Sequence, residues 1–143
     1  MRIVAAIRLM ALSPGWELTH VVDAGDKGAA DEHWIRRFMG EGGDAILTAD
    51  ADFFRLPPQV VAVFETGARV IHLPPRWASA RGELQAAHIL LWWRRIELRI
   101  AAMKPRECYR PSWNIDDSGE LKQVSIDFHA AHRKHRQATR RTD

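Results

Sequence analysis

The sequence AILTADADF at residues 45–53 decides how the rest of the chain is interpreted. Its opening residues form a short apolar run that predicts a buried strand, and Thr48, Asp50 and Asp52 follow as a hydroxyl and two carboxylates. In open α/β sheets, functional sites lie at the carboxyl ends of the strands. Carboxylates at such an edge suit a hard cation such as Mg²⁺, although an Asp at this position also commonly caps the following turn.

The hydrophobic pattern around this stretch alternates between helix and strand. Helices are predicted over residues 3–12, 30–40, 57–65 and 80–103, and strands over residues 16–22, 45–48, 69–73, 109–113 and 121–128. The residues of the longest helix predicted to face the core, with Trp93 as a partly exposed cover, are Leu84, Ala87, His88, Leu91, Trp92 and Ile96. This alternation predicts the α/β class, as a three-layer α/β/α sandwich around a central parallel sheet.

Length and cysteine content limit the classes of protein to consider. The chain has 143 residues, which is enough for one domain with a substantial core. Its single cysteine, Cys108, excludes a disulfide framework and a cysteine-based zinc cluster. No stretch has the features of a signal peptide or the apolar length of a membrane span. We therefore expect a cytoplasmic protein without membrane contact.

The formal net charge of +3 is concentrated at one end of the chain. Residues 129–143 carry five Lys or Arg and one acid, which leaves the remainder close to neutral. We divide the chain into a domain over residues 1–114, an extension over 115–128 and a basic tail over 129–143 that we expect to be disordered. Such a tail can contact RNA phosphates. His129, His132 and His135 can bind a metal in principle, but the neighbouring cations disfavour it.

A second pair of acids, Asp31 and Glu32, begins the predicted helix that precedes the strand at residues 45–48. Acids in a first helical turn often only cap free N–H groups and complement the helix dipole. The strand–helix–strand order, however, directs this turn towards the sheet edge that carries Asp50 and Asp52. Capping alone does not predict such a convergence of acids from two separate elements.

These segments resemble the PIN-like nucleases, in particular small bacterial families near the VapC-type toxins. The residues that carry the resemblance are WELTHVV at 16–22, ADEHWI at 30–35 and ILTADADF at 46–53, and the likeness extends over residues 2–113. It implies that residues 1–114 form a PIN-like domain. It also implies metal-dependent cleavage of RNA phosphodiester bonds with Mg²⁺ or Mn²⁺.

By position, the resemblance assigns the metal ligands and the catalytic group. Asp31 corresponds to the middle acid, with Glu32 as its substitute should the register differ by one, and Asp50 and Asp52 correspond to the later acids. Thr48 is similar to the hydroxyl that steadies the metal cluster or its water. The predicted site is therefore Asp31, Thr48, Asp50 and Asp52, with Glu32 as a further metal ligand.

The chain departs from this family at its beginning. PIN-like domains open with a strand that carries the first acidic ligand, whereas no acid precedes Glu17 here. Either the start is placed too late, or this copy has lost its first strand. The second alternative predicts weak catalysis and an exposed sheet edge that favours a homodimer.

The function predicted from these residues is a metal-dependent ribonuclease, the toxin of a toxin–antitoxin pair, with an RNA substrate and an antitoxin as its protein partner. The alternative is a catalytically impaired PIN-like module that binds RNA or protein as a regulator. A phosphoacceptor-like acidic site is a third alternative, but no downstream lysine lies at a strand end to support it.

Overall fold

The computed structural model describes residues 2–21, 31–50, 52–78, 82–114 and 116–142. Over these residues the chain forms six helices and four strands. In chain order they are α1 (Arg2–Met10), α2 (Asp31–Gly40), β1 (Ala45–Thr48), α3 (Pro57–Thr66), β2 (Arg69–His72), α4 (Pro75–Ala78), α5 (Gly82–Ala102), β3 (Cys108–Arg110), β4 (Lys122–Val124) and α6 (Phe128–Thr142).

The four strands form one sheet in the order β1-β2-β3-β4. Strands β1, β2 and β3 are parallel, and β4 runs antiparallel to β3. Thr48 is paired with His72, and Ile71 with Tyr109, so that Arg110 follows at the same edge as His72. The carboxyl ends of the three parallel strands therefore meet at one edge of the sheet.

Helices cover both faces of this sheet, because alternate residues of each strand point to opposite sides. Ile71 of β2 packs into a cluster with α1, α4 and α5, which includes Ile7, Trp77 and Trp92. Its neighbour Val70 packs into a second cluster with α2 and α3, on the other side. The structure thus confirms the α/β class and the three-layer α/β/α sandwich, with one antiparallel strand at the edge.

Residues 16–21 form no strand, so the prediction of a strand over residues 16–22 is wrong for the part that is described; Val22 lies outside the described residues. A β-rich sequence becomes a strand only where a neighbouring strand can pair with its backbone. Trp16 and Leu18 instead pack against the cluster formed by α1 and α5. Their apolar side chains are thus half-buried without a ladder of strand hydrogen bonds.

The face of α5 that meets the core also differs from the prediction. Leu84 and Leu91 are 46% and 59% exposed, whereas Trp93, expected as a partial cover, is only 2% exposed. The buried positions are instead Ile89, Trp92, Trp93, Ile96, Glu97 and Ile100. Glu97 is accommodated because its carboxylate accepts hydrogen bonds from the Ser13 backbone N–H and hydroxyl, at 3.0 and 2.7 Å.

The segments after α5 contain two further corrections. The strand predicted over residues 109–113 is the shorter β3, which lies inside the sheet between β2 and β4. The expected disordered tail forms the helix α6, because the Asp127 carboxylate caps it by accepting the Ala130 N–H at 2.9 Å. The rings of Phe128 and His132 pack against Phe64 of α3, with centroids 5.3 and 4.9 Å away. Local capping and packing on α3 together order this segment.

Among the described residues, no helix is both long and apolar enough to cross a membrane.

Candidate functional site

The turn after β1 is organised by its own polar side chains. The Asp50 N–H donates to the Thr48 hydroxyl at 3.1 Å, and the Asp52 N–H donates to Asp50 Oδ1 at 2.9 Å. Phe53 anchors the end of the turn, with 1% of its surface exposed. We name Thr48, Asp50 and Asp52 the acidic turn. One Asp50 carboxylate oxygen thus accepts a backbone hydrogen bond within the turn, while Asp50 as a whole is exposed to solvent.

A side chain from the neighbouring strand holds the backbone of this turn. His72, the last residue of β2, has Nε2 2.9 Å from the Asp50 carbonyl oxygen. Arg110 of β3 donates to His72 Nδ1 from Nε and Nη2, at 3.2 and 2.6 Å. Because a guanidinium can only donate, Nδ1 must be the acceptor, and the proton lies on Nε2 and is donated to Asp50. Arg110 thus fixes the tautomer with which His72 clamps the acidic turn.

Burial keeps this imidazole neutral. Desolvation lowers the pKa of His72; the hydrogen bond to Asp50 opposes the shift, and the positive charge of Arg110 adds to it. His72 is 3% exposed and also lies beside the Phe54 ring, with centroids 5.7 Å apart. A neutral, buried and doubly bonded histidine acts as a positioning residue and is not a free general base.

The same burial excludes the single cysteine as a nucleophile. Cys108 of β3 is buried, and desolvation raises the pKa of its thiol to about 12. A thiol with this pKa stays protonated at neutral pH, and a protonated thiol is a poor nucleophile. Among the described residues at this edge, the remaining candidate groups include the oxygens of Thr48, Asp50 and Asp52.

The donor set of the acidic turn suits a hard cation. Mg²⁺ is commonly held by one or two carboxylates together with waters and substrate phosphates. Asp50 and Asp52 are both exposed at the sheet edge, and Asp52 Oδ1 is 3.1 Å from the Arg55 guanidinium. This exposed pair contributes little energy, so a divalent cation can displace the arginine. The two carboxylates are thus the described groups at this turn that could hold a single Mg²⁺ or Mn²⁺.

The other predicted ligands belong to α2. Asp31 is the first residue of α2, and the last residue of this helix lies close to the start of β1. Asp31 is therefore at the opposite end of the helix from the start of β1. The Asp31 side chain lies outside the described part of the chain. Glu32 is half-buried. No group of three or more His, Cys, Asp or Glu side chains that could hold a metal is present among the described residues. Within that part, only Thr48, Asp50 and Asp52 come together.

The histidines of the C-terminal segment do not form a metal site within the described residues either. His132 Nδ1 lies 2.8 Å from the Phe128 carbonyl oxygen, and the ring packs edge-on against Phe64. His129 is exposed and His135 is half-buried on the same helix. Of the three, His132 therefore has a packing role on α3.

Sequence reasoning missed the clamp formed by His72 and Arg110. Neither His72 nor Arg110 is among the site residues predicted from the sequence. The two residues are 38 positions apart and meet because β2 pairs with β3. A polar residue at the end of each parallel strand was the available signal, but the register between the strands was needed to use it.

Comparisons with known proteins identify the family of the chain. The sequence profile of the PIN-like domain matches residues 1–75, which is just over half of the chain and includes the acidic turn and His72. Searches among curated proteins and among solved structures found no match. Arg110 and the elements from α5 onwards lie outside the matched residues. The profile match and the three-layer α/β/α fold agree, and the chain belongs to the PIN-like domain family.

Proposed function

We propose that this chain is a metal-dependent ribonuclease that hydrolyses RNA phosphodiester bonds, and that it is the toxin of a toxin–antitoxin pair. The observation that carries the proposal is the acidic turn at the carboxyl edge of the sheet in a PIN-like domain. That edge is where open α/β folds bind their ligands. The two exposed carboxylates and the hydroxyl supply oxygen donors there.

Asp50 and Asp52 would hold the Mg²⁺ or Mn²⁺, with Asp31 of α2 as a further ligand; the described Glu32 does not join them. When bound, the ion supplies positive charge for the phosphate oxygens and for the attacking water. The Thr48 hydroxyl accepts the Asp50 N–H, and His72 donates to the Asp50 carbonyl oxygen. These contacts hold the Asp50 carboxylate in place before any ligand arrives.

Hydrolysis requires a water oxygen to bond to phosphorus while the bond from phosphorus to the leaving ribose oxygen breaks. The water loses a proton and the leaving oxygen gains one, so that protons and electrons balance. Carboxylates at the edge can accept the proton from water, whereas neutral His72 and protonated Cys108 are already committed to other contacts. The chain's own contribution is therefore orientation and negative charge at a fixed position.

The proposal is tested by incubating structured and single-stranded RNA with the purified protein, with Mn²⁺, with Mg²⁺ and with EDTA. Cleavage is expected only with a divalent ion. In Asp50→Asn the rate should fall about 100-fold or more, because a charged ligand is replaced by a neutral amide. Asp44→Asn is the matched control, since Asp44 is an exposed acid at the other end of β1. Equal cleavage by Asp50→Asn and wild type would contradict the proposal.

A non-catalytic PIN-like module that binds RNA or protein is the second candidate. It is favoured by the lack of any group of three metal-ligating side chains in the part of the chain that the structure describes. The same assay separates the two functions. A module without catalysis leaves RNA intact under every metal condition, yet still retains it in a binding assay with EDTA.

The proposal includes a cytoplasmic location, an antitoxin as the protein partner and a homodimer as the assembly. Expression of the wild-type chain in bacteria should then arrest growth, and Asp50→Asn should not. Growth that is unaffected by the wild-type chain at the same protein level would contradict the role as a toxin. The oligomeric state can be measured on the same material by light scattering.

A further inference from the structure

Helix α6 presents a strongly basic surface to solvent. Its sequence from Phe128 to Thr142 contains five Lys or Arg and no acid. The side chains of Arg133, Arg136, Gln137 and Arg140 line one shallow surface depression. We use the name basic face for the five exposed cationic residues of α6, which are Arg133, Lys134, Arg136, Arg140 and Arg141.

The basic face lies opposite the side of α6 that packs on the domain. Ala131 is 8% exposed, and the rings of Phe128 and His132 contact Phe64 of α3. With 3.6 residues per turn, the five basic positions are centred on the side of the helix away from 128, 131 and 132, and 136 lies at the edge of that side, next to 132. The cations are therefore displayed by a helix whose orientation is fixed by its packing on α3.

The charge of the basic face is not neutralised by the described part of the chain. None of its five cations forms a salt bridge with a described residue. Asp127 directs its carboxylate to the Ala130 N–H, and Glu65 at the end of α3 is paired with Arg36 at 2.8 Å. Clustered cations without partners create a positive potential that attracts polyanions.

We infer that the basic face is a binding surface for the sugar–phosphate backbone of RNA. Arginine matches phosphate oxygens through its planar fork of donors. Positions 133, 136 and 140 extend over about 10 Å of helix, a length along which a nucleic acid presents several phosphates. The choice of RNA as the polyanion rests on the proposed function. The attraction of the basic face to phosphate chains rests only on its exposed cations.

The composition of this surface favours RNA over an anionic membrane. A helix that lies on a membrane buries an apolar side beneath its basic one. Here the packed side already contacts α3, and the residues on the solvent side from Arg133 to Arg141 are polar apart from Ala138. Contacts of this type would be independent of base sequence, because phosphates carry no sequence information.

The test is binding of a fluorescent RNA measured by anisotropy over a series of salt concentrations, in EDTA so that no metal-dependent cleavage occurs. The variant carries Arg133→Gln, Arg136→Gln and Arg140→Gln together. The matched control carries Arg94→Gln, Lys104→Gln and Lys122→Gln, which removes the same charge from exposed positions elsewhere. Far-ultraviolet circular dichroism confirms that both variants are folded.

The α6 variant should bind RNA about 10-fold or more weakly at low salt. The slope of log affinity against log salt should become shallower by about two, because each phosphate that a cation neutralises on single-stranded RNA contributes about 0.7 to that slope. The control should bind within about threefold of wild type. These results would support the inference whether or not the protein cleaves RNA, so that failure of the ribonuclease proposal is seen separately in the metal assay.

Three outcomes would overturn the inference. Wild-type affinity in the α6 variant would show that the basic face does not touch RNA. Equal reductions of affinity in the two variants would show that only net charge matters. Binding to vesicles that contain phosphatidylserine, which excess RNA does not displace, would assign the surface to a membrane.

Discussion

The acidic turn and helix α6 carry opposite charges and are built in opposite ways. In the acidic turn, Thr48 and Asp50 accept backbone N–H groups, and His72 with Arg110 holds the Asp50 carbonyl. In α6, the backbone is regular and the charged ends of the side chains form no salt bridges with the rest of the described chain. Fixed oxygens suit the positioning of an ion for chemistry, whereas exposed cations suit attraction of a polyanion.

The largest predicted effect is on the cleavage rate, and it comes from removing the contact between His72 and the Asp50 carbonyl. His72→Ala should lower the cleavage rate about 10- to 100-fold, because outer contacts of metal ligands contribute by this factor. His72→Gln should restore part of the rate, since its amide can still donate to the Asp50 carbonyl. The reduction should be in kcat with KM for RNA nearly unchanged.

A purely structural role for His72 would be revealed by a different pattern. If His72→Ala and His72→Gln lowered activity only in proportion to the fraction of unfolded protein, the clamp would have no part in catalysis. Urea unfolding of both variants provides that fraction.

The next effect concerns the docking of α6. Phe64→Ala removes the ring that contacts Phe128, His132 and the Arg106 guanidinium. We expect a decrease of about 2 kcal/mol in the free energy of unfolding, below the range for fully buried rings because Phe64 is half-buried. Hydrogen exchange of the α6 amides should accelerate, while amides of α5 stay protected.

Thr142→Ala provides the control at the exposed end of α6, where its hydroxyl bonds only to carbonyls of the preceding turn. It should change the free energy of unfolding by less than about 0.5 kcal/mol. Equal protection of α6 in wild type and Phe64→Ala would contradict the docking of α6 on α3.

A smaller effect should appear as a pH dependence of stability. Burial lowers the pKa of His72 in the folded state, so the unfolded state takes up a proton first as the pH falls. The stability is therefore complete above the unfolded value of about 6.5 and declines as the pH falls below it. His72→Gln should flatten this part of the curve in urea unfolding measured from pH 8 to pH 5. An unchanged slope would assign the decline to other groups.

The sequence predicted the elements whose signals are local. Helices α2 and α3 follow from apolar periodicity and from the Pro57–Pro58 start, and α3 ends where Gly67 adopts φ 75°. The strands β1 and β2 were found as apolar runs. Each of these elements is specified within about ten residues, which is why they could be identified without tertiary information.

The failures share a dependence on distant partners. Residues 16–21 have a strand-like composition but no pairing strand among the described residues. Helix α6 was hidden by its charge, although Asp127 as a cap and the absence of Gly and Pro over residues 128–142 were local signals for it. The contact between His72 and Arg110 depends on the sheet register, which no local pattern encodes.

The central claim is that the acidic turn holds the catalytic ion, and its most direct test is Mn²⁺ binding to wild type, Asp50→Asn and Asp44→Asn. Binding is measured by calorimetry and by the electron paramagnetic resonance signal of free Mn²⁺. If the acidic turn holds the catalytic ion, wild type and Asp44→Asn bind Mn²⁺ equally and Asp50→Asn does not. Binding by Asp50→Asn at the wild-type affinity, or no binding by wild type at millimolar Mn²⁺, would contradict it.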